Sequence, residues 1–215
     1  MRKTATLALC ICLLAAALPA LGSEPTQVSP PISWTDNTAG HLPMRRHDNL
    51  VYHYSFSLPG EMVLEDAYGD AEGTADRVYD GRVWESIDDR WQFFFQLKRP
   101  TYQSLTEEAA RLPEYLGLIA DDMAASGARD LRFARDGAII HDLPAGPMLE
   151  NAILYEMPGK EGRMESWCSV YLDYYDQHNE YIFGLQSPHM DYEEAIALLL
   201  RIGQTIHITP IRLMD

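Results

Sequence analysis

Apolar and polar positions change period several times along this chain, and each change predicts a different element. Ala5 to Leu18 is apolar throughout except for Thr6. From residue 51 to 57, Tyr52, Tyr54 and Phe56 hold every second position, which predicts a strand, and Pro59-Gly60 predicts the turn after it. Residues 62–72 carry a weaker strand signal, and 69–75 read as a loop. Residues 82–86 and 91–98 predict two further strands. In the second, Trp91, Phe93, Phe95 and Leu97 share one face, while Gln92, Gln96 and Lys98 share the other.

The period then lengthens. Ser104 and Glu107 fit a capping box, in which hydroxyl and carboxylate satisfy the first amides of a helix. Leu112, Leu116, Ile119, Ala120 and Met123 form an apolar stripe running to about Ser126, and Gly127 suits the stop. Pro113 either kinks this helix or marks a later start. Strand patterns return at 130–135, 138–141, 150–156, 164–174 and 180–186, with short turns that predict antiparallel pairing. Asp191 and Glu194 cap a second helix whose core face is Ala195, Ile196, Leu199, Leu200 and Ile202. Residues 204–208 predict a last edge strand. Strands, a long helix, an antiparallel meander and a second amphipathic helix make an α+β sandwich.

The apolar run near the start follows Arg2 and Lys3 and ends in small residues at Ala20 and Gly22. That order predicts a secretory signal peptide over 1–22, so the protein is expected to be exported, periplasmic or extracellular. A membrane span needs roughly 20 apolar residues, and this run is shorter. Residues 23–50 are rich in Pro, Ser, Thr and Asn without a period, and are expected to be a disordered tether. Residues 51–215 are expected to form a single soluble domain, a monomer with no attachment to membrane after signal cleavage. The net charge is −15 with His neutral, which repels phosphate backbones and argues against nucleic acid. A cationic partner is electrostatically easier. Cys10 and Cys12 lie in the leader, so the mature chain keeps Cys168 alone, which reads as a buried, inert thiol.

Asp173, Asp176, His178 and Glu180 crowd one hairpin end and are the candidate ligands for a divalent cation. Asp66, Asp70, Glu72 and Asp76 form a second acidic stretch that does not follow a calcium-loop order. Glu85, Asp88 and Asp89 sit in a polar turn, where acid–base work lacks the dry pocket it needs. Trp84, Trp167, Tyr171 and Tyr175 are the candidate partner surface, if strand alternation leaves them outside the core. Nucleophile-elbow, zinc-protease, phosphate-loop and dinucleotide fingerprints are absent.

Three stretches resemble the PsbP-like family, which includes an extrinsic protein of photosystem II and bacterial exported proteins of unknown role. Tyr54 to Gly60 (YSFSLPG) resembles the F-S-I-P-x-G-W start of such domains, with Glu61 and Met62 standing after the glycine. The middle helix, the Pro144-Ala-Gly146 turn and Asn151 to Tyr155 are similar to the family's centre. The meander ending in Tyr181 to Leu185, with its capped helix and last strand, resembles the family's end. The resemblance spans residues 50–209 and implies an antiparallel sheet flanked by helices on both faces. It also implies a binding or assembly role without catalysis, and carries no photosynthetic function. The reading is therefore an exported, non-catalytic binding or accessory protein for an unidentified protein or small ligand, with no cofactor. The alternatives are a divalent-metal-binding protein and an unrecognised hydrolase.

Overall fold

A computed structural model describes residues 26–27, 43–69, 78–88, 90–159 and 162–211. The elements in order are β1 (Thr26–Gln27), β2 (Met44–Asn49), β3 (Tyr54–Pro59), β4 (Met62–Tyr68), β5 (Val78–Ser86), β6 (Gln92–Lys98) and α1 (Leu105–Ala125). There follow β7 (Arg129–Phe133), β8 (Ile139–Leu143), β9 (Gly146–Pro158), β10 (Met164–Tyr175), β11 (Glu180–Ser187), α2 (Tyr192–Gly203) and β12 (His207–Ile208). The fold is mixed α+β and dominated by antiparallel strands. The large sheet runs β1-β8-β9-β10-β11-β6-β5-β4, with β7 sharing the edge of β9 that β8 uses earlier along the strand. A small sheet runs β12-β3-β2.

The aromatic alternation of β6 is used on both sides. Phe93, Phe95 and Leu97 pack in a cluster with Tyr54 and Phe56 of β3, Val170 and Leu172 of β10, Phe183 of β11, and Leu199 of α2. Phe94, pointing the other way, packs in a second cluster with Tyr155, Tyr171, and Ile119 and Met123 of α1. Gly184 lies opposite Phe94 in the β6–β11 register, and a Cβ there would fall 1.9 Å from the Phe94 ring. Only glycine leaves room for the end of that ring on the neighbouring strand.

Capping is realised at both helices, differently. At α2, Asp191 accepts from the Glu194 amide at 2.9 Å and Glu194 accepts from the Asp191 amide at 3.4 Å. At α1, Ser104 accepts from the Glu107 amide at 3.2 Å, but the Glu107 carboxylate reaches one residue further back, to the amide of Gln103 at 2.8 Å. Pro113 stands inside α1 and is exposed there. Gly127 takes a left-handed φ of 95° and closes the helix end.

Three expectations change. Met44–Asn49, within the stretch read as a tether, is a strand paired with β3, so folded structure begins before residue 51. Its sequence (MRRHDN) lacks apolar alternation because β2 is an edge strand that half-buries Met44, His47 and Asn49, the His47 ring lying 5.3 Å from that of Trp84. Thr26–Gln27, also in that stretch, pairs in parallel with Ile139 and Ile140. The last strand shortens to His207–Ile208 and joins the small sheet. The leader, most of the expected tether, and Asp70, Glu72, Asp76 and Asp89 lie outside the described residues. Among the described residues, no helix is long and apolar enough to cross a membrane.

Candidate functional site

The sheet brings four charged side chains together beneath the start of α1. Lys98 ends β6 and Glu180 begins β11, and the two are opposed in register. Lys98 Nζ lies 3.3 Å from Glu180 Oε1 and donates to Thr101 Oγ1 at 2.6 Å. The Thr101 amide donates to Glu180 Oε2 at 2.6 Å. Glu108, in the first turn of α1, hydrogen-bonds Asp173 of β10. Glu108 is 7 % exposed, Lys98 and Asp173 4 %, and Glu180 3 %. Isolated charges at such depth cost several kcal/mol each, so their pairing decides whether they are tolerated. Burial, then the charge of Asp173, holds the Glu108 carboxyl well above the usual carboxylate range. Burial, then the charge of Glu180, pushes Asp173 up to about 7.

A groove of about 990 Å³ opens beside this group. Residues 103–106 before and at the start of α1 form one wall, and residues 174–178 of the β10–β11 connection form another. Ile140, Pro147, Pro210 and Ile211 complete it. Tyr175 belongs to both regions. It lines the groove, and its hydroxyl is buried, so that burial first and then the charges of Glu108, Glu180 and Asp173 raise its pKa. Two tyrosines in the groove, one of them beside buried acids, suit a cationic group, because ring quadrupole and carboxylate field act in the same sense.

The residues expected to ligate a metal do not converge. Asp173 is turned inward toward Glu108, and Glu180 is bound by Lys98 and the Thr101 amide. Asp176 shapes the turn. Its Oδ1 accepts from the amides of His178 at 2.6 Å and Asn179 at 2.7 Å, and its Oδ2 accepts from the Tyr181 hydroxyl at 3.1 Å. His178 is exposed at the turn's tip. Among the described residues no three His, Cys, Asp or Glu side chains are grouped so as to hold a metal ion. Adjacency in a hairpin sequence misled here, because strand alternation turns Asp173 and Glu180 into the buried group beneath α1 while Asp176 and His178 stay at the turn.

The aromatic surface also dissolves. Trp84 and Tyr171 are each 3 % exposed, in different clusters. Trp84 meets Phe56 edge-on at 5.5 Å, and Tyr171 meets Phe94 at 5.4 Å. Trp167 is half-buried and stacked on Tyr155 at 6.3 Å. Of the four, Tyr175 alone lines the groove, joined there by Tyr174. The sequence reading missed Glu108, Lys98 and Thr101. One signal was present: Lys98 sits on the polar face of a strand that an amphipathic helix follows, where a lysine needs an acid if that face is covered.

Other polar interiors serve as clamps. Glu150 accepts from Tyr192 of α2 and lies 2.6 Å from His141 Nε2, tying α2 to β8 and β9. Asp80 accepts from Tyr54 and Asn49 at 2.6 Å each and from Arg82 at 3.1 Å, tying the small sheet to β5. Burial pushes the Cys168 thiol up to about 12, which leaves it un-ionised and unreactive.

No family model matches the chain, and no curated protein matches it. Its structure is similar to the solution structure of cyanobacterial PsbP from Synechocystis sp. PCC 6803, with a TM-score of 0.51 and 14 % identity over 82 % of this chain and 99 % of that one. It also matches the crystal structure of LpqN, described as involved in cell envelope biogenesis of Mycobacterium tuberculosis, with a TM-score of 0.41 and 10 % identity over 80 % and 94 % of the two chains. The likeness to PsbP covers 99 % of that chain, so the PsbP-like fold expected from Tyr54 to Gly60, the central strands and the terminal meander is shown as a mixed α+β fold with antiparallel sheets.

Proposed function

We propose that this protein is an exported, non-catalytic accessory domain that binds a cationic segment of a partner in the groove between the start of α1 and the β10–β11 turn. One observation carries the reading: Tyr174 and Tyr175 line an open groove of about 990 Å³, and Tyr175 also feels the buried carboxyl groups of Glu108, Glu180 and Asp173. The net charge of −15 extends the same negative field over the molecule and favours encounter with a cation. Export rests on the leader pattern of residues 1–22. The two apolar clusters, one holding α1 and the other α2, fit a sandwich with a helix layer on each face of the sheet.

Titration calorimetry with a lysine-rich peptide and its glutamate-rich counterpart, at low and physiological salt, tests the proposal. The lysine peptide is expected to bind, more weakly as salt rises. Tyr174→Ala is expected to reduce that affinity by about threefold to thirtyfold, the range of one cation–π contact. Equal binding of both peptides, binding of neither, or an unchanged affinity in Tyr174→Ala would each overturn it.

A further inference from the structure

We propose that Glu108 and Asp173 form a proton-binding pair, holding one proton between their carboxyl groups at neutral pH for as long as the start of α1 stays docked on β10. Glu108 of α1, Asp173 of β10 and Glu180 of β11 are each more than nine-tenths buried, and the charges of Asp173 and Glu180 both act on Glu108. The ammonium that acts on them is that of Lys98 on β6, and it lies against Glu180, whose second oxygen takes the Thr101 amide. The Glu108 carboxyl lies within hydrogen-bond reach of that of Asp173, and two ionised carboxylates that close repel each other unless one of them carries a proton. Glu108 Oε2 is buried with no protein donor in reach. A proton on that carboxyl turns the orphaned acceptor into the missing donor, and removes one of two adjacent negative charges.

The groups facing the pair do not replace the proton. Tyr175 of β10 brings a neutral hydroxyl. Tyr102, ahead of α1, is raised by burial and by Glu108 and so stays neutral too. Arg111 lies farther along α1, over the Tyr102 ring at 5.7 Å and 3.2 Å from Glu114. The pair belongs to the folded state only, because the unfolded chain separates α1 from β10. Folding therefore takes up a proton at pH values above the pKa of an unfolded glutamate, about 4.3, and below the raised value of the folded pair.

The sign follows from that linkage. A carboxyl raised in the folded state stabilises at low pH and loses that contribution as pH rises. Between about pH 4 and about pH 7 one extra bound proton makes the unfolding constant grow by up to about tenfold per pH unit. Glu108→Gln keeps an N–H donor for Asp173 and removes the titratable proton. Denaturant unfolding of wild type and Glu108→Gln across this window should show a shallower loss of stability in the variant. Infrared difference spectra should show a protonated-carboxyl band in folded wild type at about pH 6, absent from Glu108→Gln and from Asp173→Asn. An identical pH slope in Glu108→Gln, or no protonated-carboxyl band in wild type, would overturn the proposal. The wild-type spectrum decides the matter even where a variant fails to fold.

Discussion

Three pairs of sequence neighbours divide the interior. Leu97, Leu172 and Tyr181 enter the apolar cluster that holds α2 and the small sheet. The residues beside them, Lys98, Asp173 and Glu180, turn the other way and meet at the start of α1. Both triplets are almost wholly buried. The first needs only shape and is tolerant in detail, since apolar contacts are non-directional. The second needs every charge answered, because an unanswered charge at that depth costs more than a lost contact. One sheet therefore carries a forgiving side and an exacting side, separated by a single residue of register.

The largest expected effect tests the exacting side. Lys98→Met leaves Glu180 without its cation and should cost about 3–5 kcal/mol in denaturant unfolding. Replacing both as Lys98→Met with Glu180→Leu should recover most of that loss, since an apolar pair no longer holds a buried charge. A single variant as stable as wild type would show that the charges are not matched as the structure has them. On the forgiving side, Leu97→Ala should cost about 2–5 kcal/mol through lost burial and the cavity left behind. Its loss should not depend on pH, which unfolding at two pH values checks.

Tyr54→Phe comes next. It removes one of the three side chains that donate to Asp80 while keeping the ring in the apolar cluster, and should cost about 1.5–3 kcal/mol, the worth of a bond to a charged group. A negligible loss would show that Asn49 and Arg82 satisfy Asp80 unaided. The smallest effect belongs to Asp191→Ala, which removes the α2 cap and should lower stability by about 0.5–2 kcal/mol, read as a lower thermal midpoint.

Most elements were legible because their signals are local. The alternation over 91–98, the Ser104 cap with its apolar stripe and the Asp191–Glu194 box each lie within a few residues. What stayed hidden was non-local or weakly apolar. The strand Met44–Asn49 has no apolar period because it is an edge, recognisable only once Trp84 and Phe56 receive the His47 ring. The site was less legible than the fold. Tyr175 was singled out for a surface role and does line the groove, but its companions Trp84 and Tyr171 belong to the core. Asp173 and Glu180 were singled out for the right reason, their charge, with the wrong counterparts.

The sequence by itself determined the order of strands and helices, the two caps, the acidic balance and the likeness to PsbP-like domains, because periodicity and composition are written along the chain. Only the tertiary structure decided that Lys98 faces Glu180, that Glu108 reaches Asp173 across more than sixty residues of chain, and that Asp176 closes its own turn. Those outcomes depend on register between strands distant in sequence and on which sheet face α1 covers. A one-residue slip in either would exchange the charged triplet with the apolar one.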